Sequence, residues 1–438
     1  MYLLFLFSKS IRQPIIGSSI FSMRSDTMAN SLLADMFRQK VAKMGWDMNS
    51  EATPDISYPT GFLNFDYLNG YLATERLEDG TLHDYYDLGI TDGSYVSFIA
   101  NTGVGKSTLV CQIAANIARR FSTTTIFEDM IESKGLNQSR RLKLSGFSID
   151  EYNKRYIIRT SGVTTESIYQ RIKAIHDLKV QNAADFMYDT GRRDFLGKPI
   201  LKMEPTIYII DSIAMLMPKN YIEDDELAGK SMGAASALTA SNVFKMIIPL
   251  LGAANIILFG INHILEDVNM SAMPKKNPVP WLKQGERIPK GRTATFLANN
   301  IIRLDNAGKL KPEEGYHIAG HVVEASLVKS RSSGIKAPTR MVFDFANGFD
   351  PWLSLLETMK YNKLLYGGGA SLSVDPEKTY KFSLGTFKDK FSNDPAFRLA
   401  FMKQCVAYLK TTVMKAKEAN VDTDLIDNII NMPELYAV

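Results

Sequence analysis

The chain runs to 438 residues, 45% apolar and 22% charged, a globular composition with room for a large core and one or two small appendages. No apolar run approaches the roughly 20 residues that cross a bilayer. A net charge of +4 neither demands nor excludes a polyanionic partner, so the distribution of charge must decide. Cys111 and Cys405 lie too far apart for a metal motif and read as reduced, buried thiols of a cytosolic chain.

In chain order, "MYLLFLFSKSIRQPIIGSSIFSMRSD" puts its apolar run before its charges, the reverse of a secretory signal. No acid precedes Asp26, so an organellar transit peptide is one reading. The favoured one makes residues 1–27 a disordered extension upstream of a start at Met23 or Met28. Residues 28–46 read as a short amphipathic helix, linked through residue 55 and serving subunit contact. "PTGFLNFDYLNG" (59–70) is turn-bounded, and the acidic, turn-rich 71–92 reads as an inserted loop or hairpin.

From Tyr95 short apolar runs alternate with helical segments. The runs are 95–100, 123–127, 156–160, 206–211, 255–262, 300–304 and 322–329; the helices are 106–120, 137–145, 164–180 and 232–252. Near-continuous apolar strands between helices predict an α/β fold with a mostly parallel sheet covered on both faces. The later strands, toward "TRMVFDF" (339–345), are expected to be antiparallel. The core spans 56–366; "YGGGASLSVDP" (366–376) reads as a linker, and 367–438 as a small helical C-terminal region.

"ANTGVGKST" follows the apolar run 95–100 and opens a helix, the context of a phosphate-binding loop. Its residues Ala100, Asn101, Thr102, Gly103, Val104 and Gly105, with Lys106, Ser107 and Thr108, form the candidate ATP site. The glycines let backbone N–H groups converge on phosphate oxygens, and the helix adds its partial positive end. Lys106 would reach the β- and γ-phosphates and Ser107 would ligate Mg²⁺. "TIYIID" delivers Asp211 to a strand end as the second candidate for the Mg²⁺ shell, followed by Ser212. To position the attacking water, "IFEDMIES" offers Glu128, Asp129 and Glu132 just beyond a strand expected beside that of the phosphate loop. Glu132 is preferred because it would lie past the strand end, facing the γ-phosphate. Asn262 and His263 of "FGINHI" sit at another strand end, where a polar side chain could sense the γ-phosphate.

Together these stretches resemble the RecA family of recombinases, most closely its phage UvsX branch. The resemblance covers roughly 56–366 and includes "ISYPTGFLNFDYLNG", "IYIIDSIAML", "ILFGINHI" and "LVKSRSSGIKAPTRMVFDFANGFDPWLSLLETMK" in the family's order. His263 stands where bacterial RecA has Gln, as in UvsX-type proteins. Two departures are the insertion at 71–88 and the spacing of Asp129 and Glu132, one residue wider than the family's D-x-E; the choice of general base stays open.

The resemblance implies a RecA-like ATPase core, ATP and Mg²⁺ as cofactors, and a homo-oligomeric helical filament on single-stranded DNA that pairs with homologous duplex DNA. It implies host cytoplasm as the location if the chain is phage-encoded, a loader and a single-strand-binding protein as further partners, and no membrane. A hexameric RecA-fold helicase is the alternative. DNA is implied to meet two loops, about 218–233, with Lys219 and Lys230, and about 265–295. Within the second, residues 273–292 set Lys275, Lys276, Lys283, Arg287, Lys290 and Arg292 against one acid, Glu286, with Trp281 among them. Cations interleaved with an aromatic suit a single strand through phosphate contacts and base stacking. Lys329 and Arg331 match the basic pair that the family extends across the subunit boundary.

Overall fold

The computed structural model describes residues 55–132, 136–220, 232–266, 277, 279–289, 295–311, 315–368 and 371–415. The expected N-terminal extension and helix, Lys230, Lys275, Lys276, Lys290 and Arg292 lie outside the described residues.

A nine-stranded sheet organises the chain. Its strands are β1 (Tyr95–Ala100), β2 (Ile126–Met130), β3 (Tyr156–Arg159), β4 (Thr206–Asp211), β5 (Ile256–His263), β6 (Asn300–Lys309), β7 (Gly320–Ser330), β8 (Thr339–Asp344) and β9 (Gly348–Asp350). The spatial order is β9-β8-β7-β6-β1-β5-β4-β2-β3. Pairing is parallel from β6 to β3 and antiparallel from β6 to β9. The fold is therefore α/β with a mostly parallel sheet, as the apolar runs predict.

Those runs are continuous because both faces of the central strands are buried, and successive side chains alternate between two cores. Val96, Phe98, Ile207, Ile209, Ile257 and Phe259 point into one core. Tyr95, Ile99, Tyr208, Ile210, Ile256 and Leu258 point into the other. Helix α1 (Lys106–Ala118) lies in the first core, as does α2 (Gln138–Ser145) through Leu144. Helices α3 (Thr165–Gln181) and α4 (Met232–Ala253) cover the second through Ile168, Ile172, Phe244 and Ile247. The segment Ser236–Ala253 is apolar and long enough to cross a membrane by composition alone, yet Phe244, Ile247 and Leu251 are buried in this core.

The insertion forms a hairpin, Tyr71–Arg76 with Leu82–Asp87. The segment expected as a linker instead carries a small antiparallel sheet, Tyr366–Gly368, Ser371–Ser373 and Lys381–Phe382. Helix α5 (Pro351–Tyr361) precedes it, and helices α6 (Phe387–Asn393) and α7 (Pro395–Tyr408) follow. Phe382, Phe387, Phe391, Phe397 and Phe401 join the first core, where the Phe391 ring lies 4.5 Å from Trp352 of α5. Val374 joins the same core and Leu372 packs against it.

Candidate active site

β1 ends at Ala100 and α1 starts at Lys106, so Asn101 to Gly105 make the turn. Gly103 and Gly105 stand at φ +82° and +103°, a left-handed backbone that side chains strain. At Gly105 the space is closed as well, since a Cβ would lie 3.0 Å from the Phe349 ring. Asn101, Thr102 and Gly103 are exposed, whereas Val104, Lys106 and Thr108 are buried. The loop's exposed backbone adjoins the first turn of α1, whose N–H groups have no partners within the helix. That combination suits an anion.

Lys106 turns back under the loop. Its Nζ donates to Ala100 O at 3.1 Å and Asn101 O at 3.0 Å and lies 3.4 Å from His263 Nδ1. Burial pushes its pKa down to about 8, against the opposing pull of Asp211 and Glu132. Beside it Ser107 Oγ donates to Asp211 Oδ2 at 2.6 Å. Burial drives the Asp211 carboxyl up to about 6; the Ser107 hydrogen bond opposes that shift, while the charges of Glu128 and Glu132 add to it. The site thus holds a desolvated cation and a desolvated acid, both in need of a counter-charge.

Glu132 completes the cluster. Ile131 N donates to Asp211 O at 2.7 Å, which ties the chain beyond β2 to the end of β4. Glu132 Oε1 then accepts from Ser212 Oγ at 2.9 Å and lies 2.7 Å from His263 Nε2. Burial alone would raise its pKa, but the hydrogen bonds of His263 and Ser212 and the charges of His263 and Lys106 hold it below the ordinary value. His263 therefore bridges Lys106 and Glu132. Asn262 faces elsewhere: it is fully buried at a position paired with Ile99, and its Oδ1 accepts from the His263 backbone.

Two expectations about this region need correction. Strand β2 begins at Ile126, because Thr123 is engaged by the Glu204 carboxylate and Thr124 by Pro205 O. Glu128 and Asp129 consequently lie inside the strand, not beyond it. Glu128 is gripped by Arg141 of α2 at 2.7 and 2.5 Å, and Asp129 points to the opposite face, held by Arg159, Arg171 and Tyr208. Moreover β2 does not adjoin β1, since β5 and β4 stand between them. Glu132 reaches the cluster only because the chain runs back over the ends of those two strands.

The remaining candidates lie apart. Lys329 is opposite Ile301, which is opposite Ser97, so it sits about 10 Å of strand short of Ala100, toward the other end of the sheet. Its Nζ donates to the carbonyls of Phe296 and Ala298; burial and the nearby charge of exposed Arg331 depress its pKa. Neither cation belongs to the glycine-loop cluster. Trp281 is half-buried, 6.0 Å from the Phe296 ring, and Lys283 and Arg287 are exposed.

Sequence reading missed Arg141 and Arg303. Arg303 interrupts the buried strand run "NIIRL", and a charge at such a position is itself a signal. Compared with protein-family models and with curated proteins, the chain matches none.

Proposed function

We propose that the chain is a DNA-dependent ATPase with a RecA-like core, which polymerises on single-stranded DNA and promotes homologous pairing and strand exchange. The observation that carries the reading is the convergence of Lys106, Ser107, Asp211, Glu132 and His263 at neighbouring strand ends beside one glycine loop. Crevices at the carboxyl ends of parallel strands are where ligands bind in such sheets.

In this reading the loop N–H groups and Lys106 hold the triphosphate of ATP, and the Lys106 charge stabilises the transferring phosphoryl group. Ser107 and Asp211 fit a divalent cation, because their oxygens are already paired and the Asp211 carboxyl is ionised against the cost of burial. Mg²⁺ bound there would neutralise charge on the phosphates. Glu132, kept ionised by Ser212 and His263, orients the attacking water and accepts its proton. Glu128, with both oxygens on Arg141, serves as a structural ion-pair partner. Lys329 and Arg331, remote from their own glycine loop, reach the triphosphate held by a neighbouring protomer.

The test is hydrolysis of ATP with and without single-stranded DNA, together with electron microscopy of the ATP-bound mixture. DNA-stimulated turnover and helical filaments are expected. Absence of turnover with any DNA would end the ATPase reading, and closed rings would favour a hexameric helicase.

A further inference from the structure

Arg303, on β6, is 5% exposed and stands beside Ile99 of β1. Its guanidinium is fully committed. Nη1 donates to Trp281 O at 2.9 Å and to Glu286 Oε2 at 2.6 Å, and Nη2 donates to Glu286 Oε1 at 2.8 Å. Nε and Nη2 also bind the two oxygens of Asp305 at 2.7 and 2.9 Å. Asn277 donates to Lys283 O and Glu286 O, and Lys283 N donates to Glu286 Oε2, so Asn277, Lys283 and Glu286 are tied together where Glu286 meets Arg303. Leu282 and Val279 are buried, while the Lys283 side chain is 68% exposed with its Nζ 3.3 Å from Asp305 Oδ1.

Glu286 is the one acid among the cations of 273–292, and Glu266 stands opposite it in a short strand pair, Leu265–Glu266 with Glu286–Arg287. Like charges in that position repel, and a carboxylate there would also repel phosphate. The two-pronged arginine contact offsets the Glu286 charge, and Lys283 helps to offset that of Asp305, which shares the guanidinium. We infer that Arg303 is a positioning residue, which pairs with Glu286 and pins the segment 281–286 to β6, so that Lys283 and Arg287 are presented on one turn to a nucleic-acid strand. The inference rests on the DNA-binding reading of this segment. Because β6 pairs directly with β1, the same clamp ties that segment to the strand that carries the glycine loop.

The experiment measures affinity for a labelled oligothymidine across a salt series, for the full chain and four variants. Lys283→Ala with Arg287→Ala tests the reading beneath: parental affinity and salt slope in that variant would remove DNA from this segment. If that variant binds more weakly, Arg303→Met should weaken binding about fivefold, the effect of a like charge roughly 4 Å away in water. Its log–log salt slope should be shallower by roughly 0.7, the change expected when one fewer phosphate is neutralised. Adding Glu286→Gln to Arg303→Met should recover about half of the affinity deficit on a logarithmic scale, because one of the two carboxylates freed by the loss of Arg303 is removed. Should Arg303→Met fail to fold, Arg303→Lys, which keeps the charge without the fork, should bind about twofold to threefold more weakly than the parent. Parental affinity in a folded Arg303 variant, or a deficit in Arg303→Met that Glu286→Gln does not relieve, overturns the inference.

Discussion

Replacing Lys106 with Met should abolish ATP turnover yet stabilise the protein in the absence of nucleotide. Lys106 is 5% exposed, and burial lowers its pKa from 10.5 to about 8. Holding that ammonium in its charged form therefore costs about 3 kcal/mol at neutral pH. Met fills a similar volume without the charge. The carbonyls it deserts are not stranded, since Ala100 O keeps the Ile264 N–H at 3.0 Å and Asn101 is exposed to water. Allowing about 1 kcal/mol for the missing hydrogen bonds leaves a net gain of about 2 kcal/mol. In a chain of this size that raises the melting midpoint by about 2 °C. The sign with pH follows from the depressed lysine pKa. The charging cost is full below pH 8, shrinks as the folded lysine sheds its proton between 8 and 10.5, and vanishes above, leaving only the about 1 kcal/mol of lost hydrogen bonds against the variant. Calorimetry at pH 7 and pH 10 without nucleotide measures both points. A variant that melts below the parent at pH 7 would refute the claim that this lysine is a strained charge held for a ligand.

Asp211→Asn should also lose turnover and gain stability at neutral pH; since burial raises the Asp211 pKa to about 6, the parent should regain ground as pH falls from 6 toward 4, read by urea unfolding. Glu132→Gln should lower turnover by about 10²–10⁴ with nucleotide binding retained, measured by single-turnover kinetics and fluorescent-nucleotide titration. Glu128→Gln should instead cost about 3–5 kcal/mol of stability, because it leaves Arg141 buried and unpaired, and equal melting of the two glutamine variants would contradict the distinction. Lys329→Ala with Arg331→Ala should abolish DNA-stimulated hydrolysis while the monomer still binds nucleotide. Mixing it with Lys106→Ala should restore some activity at interfaces that pair a sound loop with sound cations, and no recovery in co-assembled mixtures would place the cations within their own subunit.

The local features of the candidate site were legible in the sequence because their chemistry is local. A buried strand, a turn needing positive φ at Gly103 and Gly105, and a helix opening at Lys106 are each set by residues within a few positions. The same holds for Asp211, delivered to a strand end by the apolar run 206–210. What the acids near 130 do was not legible. A strand flips its side chains every residue, and contacts with Glu204 and Pro205, some 80 positions away, fix where β2 begins. Once β2 starts at Ile126, Glu128 falls on Arg141, Asp129 on Arg159 and Arg171, and only Glu132 comes back to Ser212 and His263. Arg303 likewise acquires its role from Glu286 and Trp281, which approach only when β6 lies beside β1. The glycine turn is decided by near neighbours, but the start of β2 and the partner of a buried charge are decided by which distant chain arrives to satisfy them, and that is a property of the packed sheet.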